Sequence, residues 1–156
     1  MRAAAILLAL ALPGCARGGD ADTVQAARTV PVTVQTAGGA HVFRAEVAAT
    51  PAEQQRGLMY RTGLADDFAM LFAPYPPEGG APRVASFWMK NTPSALDIVY
   101  IRADGTIARI AENTVPFSEA SISSGEPVAA VLEVRGGRTA ELGIGEGDRV
   151  TWPQAR

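Results

Sequence analysis

The stretch VPVTVQTAGGAHVFRAEVAA, residues 30–49, decides the fold class because it has the pattern of a β-hairpin. Every second residue from Val30 to Val34 is a valine, as in a strand that buries one face. The Gly-Gly pair in the middle is a turn signal, and strand character resumes after it. The chain is therefore expected to build its domain on antiparallel strands.

A helix start follows the hairpin directly. Thr50 can cap the first turn, Pro51 suits the first helical position, and Glu53 completes a capping box. The helix is predicted to run to Tyr60 or Arg61.

Short apolar runs separated by turn signals predict the remaining strands. They lie at 68–72, 84–90, 95–102, 106–112, 128–135 and 149–152. Asp104-Gly105 indicates a tight hairpin, the polar segment 113–127 reads as a loop, and 138–142 can form a helical turn. Together these elements predict an α+β fold, mainly antiparallel β, with a curled, barrel-like sheet and one or two short helices.

The first 14 residues have the pattern of a signal peptide. A basic start is followed by ten apolar residues at 3–12, too short a run to span a bilayer. Leu12-Pro13-Gly14-Cys15 resembles a lipoprotein processing box, with the chain's only cysteine at the position of lipid attachment. Pro13 is atypical there, so a plain secreted leader with an incidental cysteine is the alternative.

The leader predicts how the chain is divided into three segments and where the protein is located. Residues 1–14 are a lipoprotein-type signal peptide, 15–29 a polar flexible tether, and 30–156 a single domain. The protein is expected to be exported and lipid-anchored through Cys15 to the periplasmic face of a membrane, which it touches only through this anchor. Ala16 after the cysteine favours the outer membrane.

Composition excludes several classes of function. The net charge is -2 and no basic run occurs, so nucleic acid is not an expected partner. One cysteine permits neither an internal disulfide nor a multi-cysteine metal site. His41 is the only histidine and is interpreted as an exposed strand residue. No glycine-rich phosphate loop precedes the helix. We therefore expect no metal and no cofactor.

Several motifs carry a resemblance to a known family. They are RGLM at 56–59, MLF at 70–72, SFWMKNT at 86–92, LDI at 96–98, VLE at 131–133 and GIGEGD at 143–148. In order and spacing, from about Val32 to Trp152, the chain resembles the DUF192 family of bacterial and archaeal proteins. The resemblance implies a compact, mainly β domain that is often exported, and it transfers no activity. Pro93-Ser94 departs from the family pattern and should change only a loop.

The strongest candidate site joins a lone lysine to a buried acid. Lys90 is the only lysine among 14 basic residues, and Asp97 lies in the apolar strand ALDIVYI. A buried carboxylate needs a partner or it takes up a proton. If 86–90 and 95–99 pair across the turn, Trp88 lies opposite Asp97 and Lys90 lies diagonally within reach. This cluster would bind a ligand, or only fix the register of the hairpin.

Three further residues complete the candidate ligand-binding set. Asn91 lies in the turn beside Lys90. Glu133 shares a strand face with Arg135, so it either serves the site or forms an exposed ion pair with Arg135. Arg56 could reach an acidic cluster, or pack as part of an amphipathic helix.

Three classes of function fit these residues. The first is a non-catalytic envelope lipoprotein that binds a small polar ligand, a glycan or a partner protein. The second is a hydrolase or lyase that uses Asp97 and Glu133 as its two carboxylates, with Lys90 or Arg56 steadying an anion. The third is a structural or assembly role. The sequence does not decide whether the protein is an enzyme.

Overall fold

The computed structural model describes residues 29–153, and strands dominate them. The predicted signal peptide, Cys15 and residues 15–28 of the predicted tether lie outside the described residues. The strands are β1 (Thr29–Thr36), β2 (Gly39–Ala48), β3 (Phe68–Phe72), β4 (Arg83–Phe87), β5 (Leu96–Ile101), β6 (Ile107–Ala111), β7 (Ile122–Val128), β8 (Ala130–Arg135) and β9 (Arg149–Thr151). The helices are α1 (Pro51–Arg56) and α2 (Arg138–Leu142).

Seven strands form one curled sheet in the order β6-β5-β8-β3-β2-β1-β9. Neighbouring strands are antiparallel except for the parallel pair β2 and β3. The two edges of the sheet meet at one end, where the Ile107 amide donates to the Asp148 carbonyl at 2.8 Å. The Val150 amide likewise donates to the Gly105 carbonyl at 2.8 Å. The sheet is thus a nearly closed barrel, and the predicted α+β, mainly antiparallel fold class is confirmed.

The curled sheet has an apolar core on each of two faces. The alternating valines of β1 point inward with residues from the other six strands of the sheet, among them Phe43, Leu71 and Leu132. The outer face of β3, β5 and β8 carries a second cluster, which includes Phe72, Ile98 and Tyr100. Because both faces of β5 are covered, all six of its residues are buried, and its sequence lacks the alternation of a one-sided strand.

A two-stranded ribbon of β4 and β7 covers part of the outer cluster. This ribbon overturns two predictions. The segment 113–127 is not wholly a loop, because β7 begins at Ile122. Residues 86–90 and 95–99 do not form a hairpin, because β4 pairs with β7 whereas β5 pairs with β6 and β8.

Helix α1 begins as predicted and ends early. The Glu53 amide donates to the Thr50 hydroxyl at 3.3 Å, while the Glu53 carboxylate accepts from the Thr50 amide at 2.8 Å. The helix ends at Arg56, not at Tyr60 or Arg61, because Gly57 has φ 47° and leaves the helical path. A Cβ added at Gly57 would lie 3.3 Å from the Phe72 ring, so the backbone passes the core closely here.

None of the helices within residues 29–153 combines the length and the apolar character that crossing a membrane would require.

Candidate functional site

A pocket of about 270 Å³ opens between the end of α1 and the outer face of the sheet. Its apolar wall is formed by Leu58, Met59, Phe72, Tyr75, Phe87 and Trp88. Its polar lining consists of Gln54, Gln55, Arg56, Ser86, Lys90, Thr92 and Glu133, together with the backbone of Gly57. Small-molecule sites are concave and combine apolar walls with polar groups that orient the ligand, and this pocket has both. We call it the Glu133 pocket.

Glu133 forms the floor of this pocket. Its neighbours across the sheet are Met70 on β3 and Ile98 on β5, so its side chain projects into the outer apolar cluster. The residue is 4% exposed, and its Oε2 atom has no hydrogen-bond partner among the described residues. Burial raises the pKa of the Glu133 carboxyl to about 8. The carboxyl group therefore holds its proton at neutral pH.

Gln54 contributes a second unpaired oxygen. Its Nε2 donates to the carbonyls of Ala48 at 3.0 Å and Pro74 at 2.7 Å. These two contacts fix the orientation of the amide, because only the nitrogen can face two carbonyls. The Oε1 atom is buried and has no hydrogen-bond partner within residues 29–153. Buried polar atoms are nearly always hydrogen-bonded in proteins, so an unpaired oxygen on each of two residues that line one pocket requires an explanation.

Two basic residues stand at the mouth of the pocket. The Lys90 ammonium lies 5.1 Å from the centre of the Trp88 ring and 3.8 Å from Glu119. Its side chain is 41% exposed, so the ion pair is weak and open to exchange. Arg56 is exposed, and its guanidinium makes no hydrogen bond or ion pair with the residues described.

An outer hollow of about 560 Å³ adjoins this mouth. It shares Gln55, Arg56, Met59, Trp88 and Lys90 with the Glu133 pocket, and adds Ala52, Tyr60 and Asn91. Tyr60 and Asn91 both have positive φ, and the Tyr60 amide donates to the Asn91 carbonyl at 2.8 Å. Residues other than glycine rarely adopt this backbone conformation, and those that do cluster at binding sites.

Asp97 lies elsewhere, and the predicted cluster with Lys90 and Trp88 is wrong. Asp97 is fully buried on the inner side of β5 and lines neither the Glu133 pocket nor the outer hollow. Its carboxylate accepts from the amides of Asn113, Gly137 and Thr139 and from the Thr139 hydroxyl, at 2.8–2.9 Å. It ties β5 to the loop before α2. Of the two contacts predicted for Lys90, with Asp97 and with Trp88, only the contact with Trp88 is present.

The interpretation of Glu133 as an exposed partner of Arg135 is also wrong. Arg135 pairs instead with Asp66 and Glu141, both at 2.7 Å. The two residues share a strand face, but the outer cluster covers Glu133 and leaves Arg135 near the end of the strand.

The structure thus groups four of the six candidate residues around one pocket. Arg56, Trp88, Lys90 and Glu133 line it, and Asn91 lines the outer hollow next to it. Gln54 was missed by sequence reasoning because nothing in PAEQQR distinguishes one glutamine from the other. His41, read as exposed, is half-buried on β2.

Comparison with known proteins identifies relatives but no activity. The model of the DUF192 family, described as "Uncharacterized ACR", matches residues 32–152. A protein of unknown function from Novosphingobium aromaticivorans is 45% identical, with a TM-score of 0.77, and the match covers 83% of this chain and 89% of that one. A protein from Sinorhizobium meliloti, described as a "putative transcription regulator", is 43% identical, with a TM-score of 0.75, over 81% of this chain and 95% of that one. No curated protein matches this chain.

Proposed function

We propose that this chain, which belongs to the DUF192 family, is the binding domain of an exported lipoprotein and holds a small polar ligand in the Glu133 pocket. The observation that carries this proposal is the Glu133 carboxyl, buried in a pocket with one oxygen unpaired. An unpaired buried polar atom costs roughly 1–3 kcal/mol. A ligand that pairs it would recover that free energy on binding.

The shape of the site supports a small ligand rather than a protein partner. The volume of about 270 Å³ lies just below the roughly 300–1,000 Å³ of typical small-molecule pockets. Trp88 is 44% exposed at the mouth, where an indole can cover one side of a bound molecule.

A two-carboxylate hydrolase or lyase is not supported. That mechanism needs both acids in one cleft, within reach of the same substrate. Asp97 is buried on the opposite side of the sheet from the pocket and has all its hydrogen bonds within the fold.

The description of the Sinorhizobium relative raises DNA binding as another candidate, and the charge does not favour it. The net charge of this chain is -2. Six of the nine arginines in residues 29–153 face carboxylates in salt bridges at 2.5–3.5 Å: Arg44, Arg61, Arg83, Arg102, Arg135 and Arg138. A surface on which most arginines are already paired offers little attraction to phosphates.

Ligand binding can be tested through the fluorescence of Trp88. The chain has two tryptophans, and Trp152 lines a different pocket, so a Trp152→Phe variant reports on Trp88 alone. Monosaccharides, amino acids and short peptides are titrated separately. At least one class is expected to shift the Trp88 emission, and Glu133→Gln is expected to weaken its binding about tenfold. Emission unchanged by all three classes contradicts the proposal.

The membrane anchor is tested separately, in cells. Labelling with radioactive palmitate is expected to mark the wild-type protein and not Cys15→Ser. The wild type should also fractionate with membranes. Equal labelling of both proteins contradicts the lipid anchor and leaves the pocket unaffected.

A further inference from the structure

We propose that the ligand is a small zwitterion of the α-amino acid type, whose ammonium group is received by Glu133 and Gln54 and whose acidic group faces Arg56 and Lys90. This inference rests on the proposed binding function and adds the chemical class of the ligand. It follows from the order of polar groups from the floor of the pocket to its mouth.

The floor of the pocket requires a hydrogen-bond donor. The Gln54 Oε1 atom can only accept, since its amide nitrogen is held by the carbonyls of Ala48 and Pro74. Glu133 Oε2 is likewise unpaired. An ammonium has three N–H donors, which is enough for both oxygens.

A cationic donor also changes the charge state of Glu133. Burial favours the neutral acid, and no cation from residues 29–153 lies against the carboxyl to oppose it. An ammonium placed there favours the carboxylate, so the acid proton leaves to solvent as the ion pair forms. The other ionisable groups on the pocket are the Tyr75 phenol and, at the mouth, Arg56 and Lys90. Tyr100 on β5 lies close by and remains neutral, since burial raises its pKa beyond the physiological range.

The mouth of the pocket offers the complementary charge. The Arg56 guanidinium has no hydrogen bond or ion pair among the described residues, and the Lys90 ammonium has only exposed contacts, with Glu119 at 3.8 Å and the Trp88 ring at 5.1 Å. Two such cations can take a carboxylate without a large desolvation cost. A ligand with its cation inside and its anion outside matches this order. A neutral sugar would leave both mouth cations unused.

The test is calorimetric titration with the standard L-amino acids. The tightest binder is then compared with its N-acetyl derivative, which lacks the ammonium, and with its amide, which lacks the carboxylate. Each derivative is expected to bind about tenfold or more weakly. Titration near pH 7 in two buffers of different ionisation enthalpy should show release of about one proton for each ligand bound.

Variants show which residue contacts the ammonium end of the ligand and which contacts the carboxylate end. Glu133→Gln should weaken binding of the parent amino acid and abolish proton release. Arg56→Gln should also weaken binding of the parent amino acid. It should leave the affinity for the amide derivative nearly unchanged, because the amide has no carboxylate for Arg56 to contact. Arg44→Gln is the matched control, since Arg44 is an exposed arginine paired with Asp67 outside the pocket. It should bind like the wild type.

Three results would overturn this inference. If no amino acid binds while a monosaccharide shifts Trp88 emission, the zwitterion is wrong and the proposed binding function stands. If an amino acid binds with equal affinity in its N-acetyl form, Glu133 does not receive the ammonium. If neither amino acids, sugars nor peptides bind, the inference and the proposed function fail together.

Discussion

Glu133 and Asp97 are buried acids on neighbouring strands that point to opposite faces of the same sheet. Asp97 on β5 lies opposite Val134 on β8, and Glu133 lies opposite Ile98, so the two acids are offset by one residue. A one-residue offset reverses the face on which a side chain lies. Asp97 has four hydrogen bonds within the fold, whereas Glu133 has an unpaired oxygen in a pocket. The first acid holds the fold together and the second is free for a ligand.

Replacing Asp97 by Asn should strongly destabilise the domain. The amide nitrogen would face N–H donors, and the charge that holds three backbone amides would be lost. We expect a loss of about 3 kcal/mol in the free energy of unfolding, measured by urea denaturation. Asp67→Asn is the control, since the exposed Asp67–Arg44 pair should contribute little. Equal midpoints for the two variants would show that Asp97 has no structural role.

Glu133 should make the domain less stable as the pH rises. Its folded pKa of about 8 lies above its unfolded value of 4.5, so between these values the folded protein binds more protons than the unfolded chain. The free energy of unfolding is therefore expected to fall between about pH 5 and pH 8, by up to several kcal/mol. Glu133→Gln should flatten this dependence, as followed by urea denaturation at each pH. If the free energy of unfolding changes with pH in the same way for wild type and variant, Glu133 is not the cause of the pH dependence.

Removing the cap of α1 should weaken both the fold and the pocket. Thr50→Ala loses the hydroxyl that accepts from the Glu53 amide, and an N-cap of this kind contributes about 1 kcal/mol. Since α1 carries Gln54 and Arg56, affinity for any pocket ligand should fall as well. Thr62→Ala, at an exposed position in the following loop, should change neither the thermal midpoint nor affinity. A Thr50→Ala protein as stable as the wild type would contradict the capping role.

A side chain at Gly57 should distort the pocket at its edge. Gly57→Ala combines φ 47° with a Cβ placed 3.3 Å from the Phe72 ring, and we expect it to cost about 1–3 kcal/mol. Gly63 also has a positive φ of 65°, but its Cβ would meet no atom within 4 Å. Gly63→Ala should therefore cost less. Thermal midpoints that fall equally would show that the approach to Phe72 is unimportant.

The sequence predicted the elements whose pattern is local. The valines of β1, the turn before β2 and the capping box at Thr50 all act within a few residues, and the structure confirms them. The early end of α1 at Gly57 was missed because a glycine can also lie within a helix, and the close approach of Gly57 to Phe72 on β3 is a long-range feature. Strand β7 was missed because ISSGEPV has few apolar residues, and its pairing with β4 supplies what its composition lacks.

The site was predicted only in part, because contacts between residues close in sequence can be foreseen and long-range contacts cannot. Trp88 and Lys90 are close in sequence, so their contact could be foreseen. Which of the two acids, Asp97 or Glu133, belongs to the pocket could not be foreseen. It depends on which long-range neighbours cover each face of the sheet. Backbone amides from the loop around Gly137 reach Asp97, while nothing among the described residues reaches Glu133 Oε2.

The central claim is that Glu133 is a buried, unpaired acid at the floor of the pocket, and its ionisation tests this most directly. Carbon-13 NMR of protein labelled at the glutamate side-chain carboxyls follows each group through a pH titration, and Glu133→Gln identifies the resonance of Glu133. We expect the Glu133 carboxyl to titrate near pH 8. A Glu133 resonance that titrates at the ordinary value of about 4.5 would mean that water or another group already solvates this acid, and would contradict the account.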